Sequence, residues 1–162
     1  MRGAIFFLVF LGLVANTNAG LKMAAGEAIA DDLVLVSAEF GLLEKGEDGA
    51  VQFKATDKVP LVAGQGYGWR LRFRTKRESV AMREEFELPV APKNWDSSGS
   101  GGEFKVSTDG RTGTTEGDAT LQDGAIIRAW QVADGDPTGA HVIRVYIEGK
   151  LVRTFKFDVV AP

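Results

Sequence analysis

Between Gly139 and Val159, apolar residues recur at every second position on both sides of Gly149, and that alternation restricts the segment to a β-hairpin. His141, Ile143, Val145 and Ile147 share one face of the first strand; Leu151, Phe155, Phe157 and Val159 share one face of the second. For Ile147 to lie on the side of Leu151, and Ile143 on the side of Phe155, the connection needs an odd number of residues. Glu148-Gly149-Lys150 supplies this, as does a two-residue Glu148-Gly149 turn followed by a bulge.

The same rhythm runs through the rest of the chain. Short alternating runs separated by Gly, Asp, Ser and Pro predict strands over 33–42, 50–56, 68–75, 80–88, 103–108, 125–132, 141–147 and 151–159. Residues 77–87 could be read as helical turns through Glu78, Met82, Glu85 and Phe86, but Val80, Met82, Phe86 and Leu88 alternate better as a strand. Residues 96–102 read as a flexible polar loop, and 108–124 as a loop or weak edge strand because Gly, Thr and Asp dominate there. The pattern predicts an all-β, immunoglobulin-like antiparallel sandwich of about seven to nine strands.

Arg2, the apolar run from Ala4 to Ala15 and the small residues ending at Ala19 form an export signal, since that run is too short to span a bilayer. The expected organisation is a signal peptide at 1–19, a flexible leader at 20–31 and a single sandwich domain over 32–162. The destination is periplasmic or extracellular, with no stable membrane span after cleavage. A domain of this size buries about two thirds of its unfolded surface and needs no staples. The absence of cysteine excludes disulfides, thiolate metal sites and a Cys nucleophile. Nineteen Lys and Arg against 22 Asp and Glu argue against a nucleic-acid partner, whose electrostatic footprint is basic.

Catalytic arrangements are scarce. His141 is the only histidine, so His-dependent triads and multi-histidine metal sites are excluded by count, and its position at a strand start suits a corner hydrogen bond to the backbone. Ser98-Gly99-Ser100-Gly101-Gly102 lacks the glycine a nucleophile elbow needs two residues before its serine. No carboxylate pair stands out from the 22 acids as a glycosidase pair. Asp134, Asp136 and Thr138 begin like a calcium loop, but position twelve is Val145 instead of a bidentate Glu, so a tight turn explains them. A weak calcium site at Asp134 and Asp136 stays open. Gly64, Gly66 and Gly68 lead into a strand without the spacing of a dinucleotide fingerprint, and suit a turn and a close backbone approach.

Two surface features remain. Arg70, Arg72 and Arg74 share one strand face, a basic stripe about 13 Å long. If the following strand pairs alongside, Glu85 and Glu87 neutralise it, and this is favoured over an anion-binding groove. Trp69 and Trp130 fall in strand patterns and belong to the core, whereas Trp95 is expected at the surface, where it and Tyr67 would form an aromatic sugar platform.

Glu39-Phe40-Gly41, Val59-Pro60, Gly66-Tyr67-Gly68 and the ending Gly139-x-His141 through Gly149-Lys150 to Phe155-x-Phe157-x-Val159 resemble a family of functionally uncharacterised, exported bacterial immunoglobulin-like domains. In that family Tyr is usual where this chain has His141. The resemblance implies a scaffold, with no catalytic residue, cofactor or known ligand. The expected role is therefore non-enzymatic: binding an envelope or extracellular protein through a sheet edge or the loops at one end. Carbohydrate recognition through Trp95 and Tyr67, with a calcium ion at Asp134 and Asp136, is the alternative.

Overall fold

β-Branched and aromatic residues in alternation build two sheets, antiparallel throughout except where Lys58–Pro60 runs parallel to the last strand, whose apolar faces meet, and no helix occurs among the described residues. The structure is a computed structural model describing residues 26–46, 51–95 and 101–162. The expected signal peptide, the first part of the leader and most of the 96–102 loop lie outside those residues.

The strands are β1 (Glu27–Ala30), β2 (Leu33–Lys45), β3 (Val51–Ala55), β4 (Lys58–Pro60), β5 (Gly66–Arg74), β6 (Ser79–Glu87), β7 (Glu103–Val106), β8 (Thr112–Thr120), β9 (Ala125–Gln131), β10 (Gly139–Ile147) and β11 (Lys150–Val160). One sheet runs β1-β2-β5-β9, with β3 also on β2; the other runs β4-β11-β10-β6-β8-β7. Between them lie the fully buried Trp69, Leu33, Leu35, Leu71, Ile143 and Ile147. Phe40 stacks on Phe157 at 4.5 Å between ring centroids, joining β2 to β11 across the interior.

The closing hairpin forms with its first strand as expected: His141, Ile143, Val145 and Ile147 are all buried. Its connection is the two-residue turn, with Glu148 at φ 51° and Gly149 at φ 75°, the geometry a tight hairpin demands. A bulge follows, because Tyr146 pairs with Leu151 while Val145 pairs with Arg153. The extra residue, Val152, is 4 % exposed and Leu151 is 50 % exposed, so the expectation that Leu151 faces inward is overturned by one residue of slip.

Three further expectations are corrected. Glu27–Ala30, at the end of the presumed flexible leader, is β1 and pairs with β2. Thr112–Thr120, read as a loop or weak edge, is an inner strand with β6 on one side and β7 on the other. Its inward positions are small because other residues fill the space above: a Cβ on Gly113 would fall 2.8 Å from the Trp95 ring, and one on Gly117 3.2 Å from the Gly102 Cα. Finally, β5 and β6 lie in different sheets, so the arginine stripe of β5 cannot be neutralised by Glu85 and Glu87 of β6.

Candidate binding edge

Every sheet that does not close has edges, and edge strands carry unpaired backbone groups unless something blunts them. Three of the outer strands here are short: β4 has three residues and ends on Pro60, β7 has four and carries an exposed Glu103–Lys105 ion pair of 3.0 Å, and β1 has four, with Glu27 tied to Arg153 at 2.7 Å. The outer strand β3 has five residues and pairs Lys54 with Glu44 at 3.2 Å. β9 is the exception. It runs for seven residues, contains no proline and, among the described residues, pairs only with β5.

The register fixes which backbone groups of β9 are free. Phe73 N–H donates to Gly124 O at 2.7 Å and Val132 N–H to Gln65 O at 3.0 Å, so the even-numbered residues from Gly124 to Val132 are the ones bonded to β5. Ile127, Ala129 and Gln131 therefore turn their N–H and C=O groups outward. Their side chains lie on the solvent face, uncharged, with Ile127 44 % exposed. Contact with β5 is close at Gly68, where a Cβ would sit 2.1 Å from Arg128 O. This is the close backbone approach expected of that glycine run.

The one charge on β9 is Arg128, and it lies in the inward phase with Ile126 and Trp130. Its guanidinium reaches the flank of the other sheet, where a Cβ on Gly101 would lie 3.2 Å from its Nη1. Among the described residues no carboxylate comes within ion-pair distance of it. Deeper in, Glu84 of β6 is 6 % exposed and accepts a hydrogen bond of 2.7 Å from the Trp69 indole N–H. Burial pushes the Glu84 carboxyl up to about 7, against the opposing pull of Arg128 and the indole bond.

Sequence reasoning missed both groups, although each had a signal. Glu84 occupies the inward phase between Met82 and Phe86, and Arg128 does so between Ile126 and Trp130. A charge in the apolar phase of an alternating strand marks an interior polar group or the mouth of the sandwich.

The residues singled out from sequence are not brought together. Tyr67 is 5 % exposed, stacked on Trp130 at 5.9 Å, and burial pushes its hydroxyl pKa up, so it offers no surface for a sugar. Trp95 is half-buried, donates its indole N–H to Gly110 O at 2.9 Å and packs against Phe86 and Phe104. The two rings are separated by Trp130 and Phe86, which correct the platform to a chain of interior contacts. Arg70 bonds Glu39 of β2 through its Nε at 3.1 Å and lies over Phe53. Among the described residues Arg72 and Arg74 have no ion pair. Glu87 serves Arg144 at 3.0 Å, and Glu85 serves Arg83 at 2.8 Å.

At the other candidates the backbone dominates. Asp136 Oδ2 accepts from Ala133 N–H at 2.8 Å, closing its own turn, and no group of three or more His, Asp or Glu gathers into a metal site among the described residues. His141 Nδ1 lies 2.9 Å from Gly139 O, the corner bond expected, with its ring stacked on Phe157. Burial lowers its pKa and favours the neutral ring that donates there.

A known family model matches residues 38–160 of the chain. The chain belongs to the PM0630 beta sandwich domain family. The resemblance carried by Glu39-Phe40-Gly41 and the final hairpin thus holds at the level of family and fold. An immunoglobulin-like protein of Pseudomonas aeruginosa superposes with a TM-score of 0.54 at 18 % identity, covering 82 % of this chain and 100 % of its own. That likeness shows the immunoglobulin-like sandwich. The alkylpurine DNA glycosylase AlkC of Pseudomonas fluorescens, solved with DNA containing an abasic-site analogue, covers 65 % of this chain and 28 % of its own at 14 % identity, with a TM-score of 0.37. Among curated proteins, none matches the chain.

Proposed function

We propose that this PM0630 beta sandwich domain is an exported, non-catalytic binding module that captures a protein partner by adding the partner's strand to β9. The observation that carries this reading is the outward row of backbone groups on Ile127, Ala129 and Gln131, on the longest of the outer strands that lack a second neighbour among the described residues. Strand addition draws its affinity from main-chain hydrogen bonds and its selectivity from alternate side chains. The lone buried histidine and the absence of cysteine fit a role without covalent chemistry. The signal-like segment ending at Ala19 supports a site of action beyond the cytoplasm.

Ala129→Pro tests the reading, because it deletes an outward N–H while leaving the β5 ladder intact, and proline is tolerated on edge strands. With a photo-crosslinking residue at Ile127, the parent chain gives one specific adduct with an envelope protein and the proline variant gives none. A crosslinker at Lys156, on the opposite sheet, gives no such adduct in either. An adduct that survives Ala129→Pro with undiminished yield rejects strand addition at β9. Amino-terminal sequencing of the exported protein is expected to begin at Gly20.

A further inference from the structure

Arg128 stands directly where a strand added to β9 would meet it. Because its own N–H and C=O bond β5, it forms a non-hydrogen-bonded pair with any antiparallel newcomer, the arrangement in which opposing side chains come closest. Its guanidinium lies at the mouth between the sheets beside Gly101, without an ion pair among the described residues. An inward charge on an edge strand excludes partners that cannot neutralise it. On the solvent face Arg72 and Arg74 lie one strand further in and are likewise without ion pairs among the described residues.

Resting on the edge-binding role proposed above, we infer that β9 selects an acidic extended segment, with a carboxylate on its inward face opposite Arg128. The arginine acts as a filter: it repels basic strands, is left as an unpaired desolvated charge by neutral ones, and rewards an acid with a charge-assisted hydrogen bond. A second copy is the less suitable occupant, since antiparallel β9–β9 pairing centred on Ala129 brings two Arg128 side chains into the same mouth and supplies no new carboxylate between them. Arg72 and Arg74 steer the approach.

The probe is the heptapeptide Thr-Val-Thr-Glu-Thr-Val-Thr, whose inward face reads Val-Glu-Val, set against its Glu→Lys counterpart and a form N-methylated at the two threonines flanking the glutamate. Binding to the full chain is read by anisotropy. The glutamate peptide binds about tenfold or more tightly than the lysine peptide, and Arg128→Gln abolishes the difference while Arg128→Lys keeps part of it. N-methylation removes binding. Glutamate and lysine peptides that bind equally, yet lose binding on N-methylation, overturn the acidic preference and leave the edge role standing. A glutamate preference insensitive to N-methylation overturns the edge role itself. Failure of every peptide to bind overturns the acidic segment, with the Ile127 crosslink deciding the edge independently. A dimer in sedimentation that Ala129→Pro dissolves assigns the edge to a second copy instead.

Discussion

A carboxylic acid between two apolar sheet faces is held there by its bond to an indole and, below about pH 7, by staying protonated. The ordinary Glu value is 4.5 and the folded value of Glu84 is about 7. Below 4.5 the acid is neutral in both the folded and the unfolded chain, and its contribution to stability is fully present. Between 4.5 and 7 the unfolded chain ionises while the fold resists, so this one group removes up to about 3 kcal/mol as pH rises, with no further loss beyond. Urea unfolding at pH 5 and pH 8 should show that difference in the parent, and Glu84→Gln should flatten it. Trp69→Phe withdraws the indole donor that holds the Glu84 value down, so the pH dependence should steepen. It should also cost about 2–4 kcal/mol overall through the lost bond and the volume left by the smaller ring. A stability profile in Glu84→Gln as steep as the parent's would assign the effect to other groups.

Among the elements, the final hairpin separates what alternation reveals from what it hides. The buried row from His141 to Ile147 was legible because Ile143, Val145 and Ile147 continue one unbroken apolar phase. A bulge after the turn was legible as one of two options, but its place at Val152 was not, because one inserted residue keeps the composition apolar while reversing which of Leu151 and Val152 faces inward. Leu151→Asp should therefore leave stability within about 0.5 kcal/mol, whereas Val152→Asp should cost about 3 kcal/mol or more by burying an unpaired carboxylate. Equal losses in chemical denaturation would place the bulge elsewhere. The turn carries a test of its own, since Gly149→Ala puts a Cβ at φ 75° and should cost about 1 kcal/mol despite the open space around it. β8 escaped notice for a different reason: its inward Gly113, Thr115 and Gly117 complement rings and backbone from Trp95, Phe104 and Gly102, and complementarity between distant segments leaves no mark on the local pattern. The arginine stripe was visible, but which strand neutralises it depends on sheet membership, which alternation does not encode.

At the scale of the whole molecule, an open sandwich must keep its edges from pairing with copies of itself. A net charge of −3 spread over the sequence is a weak defence, since repulsion between whole molecules is screened over about 8 Å in physiological salt. Short strands, Pro60 and exposed ion pairs protect the other edges, so protection of β9 falls to Arg128 alone. Arg128→Val removes that barrier and extends the inward apolar row from Ile126 through Trp130, leaving the three outward backbone rungs unchanged. The parent chain should stay monomeric across a concentration series in analytical ultracentrifugation. The valine variant should form a dimer, and adding Ala129→Pro should return it to monomer by deleting a rung at the new interface. The variant's melting temperature at low concentration should fall slightly below the parent's at neutral pH, because Arg128 no longer offsets the buried Glu84 charge, and should rise with concentration as the dimer forms. A valine variant that remains monomeric at every concentration would show that Arg128 does not guard the edge.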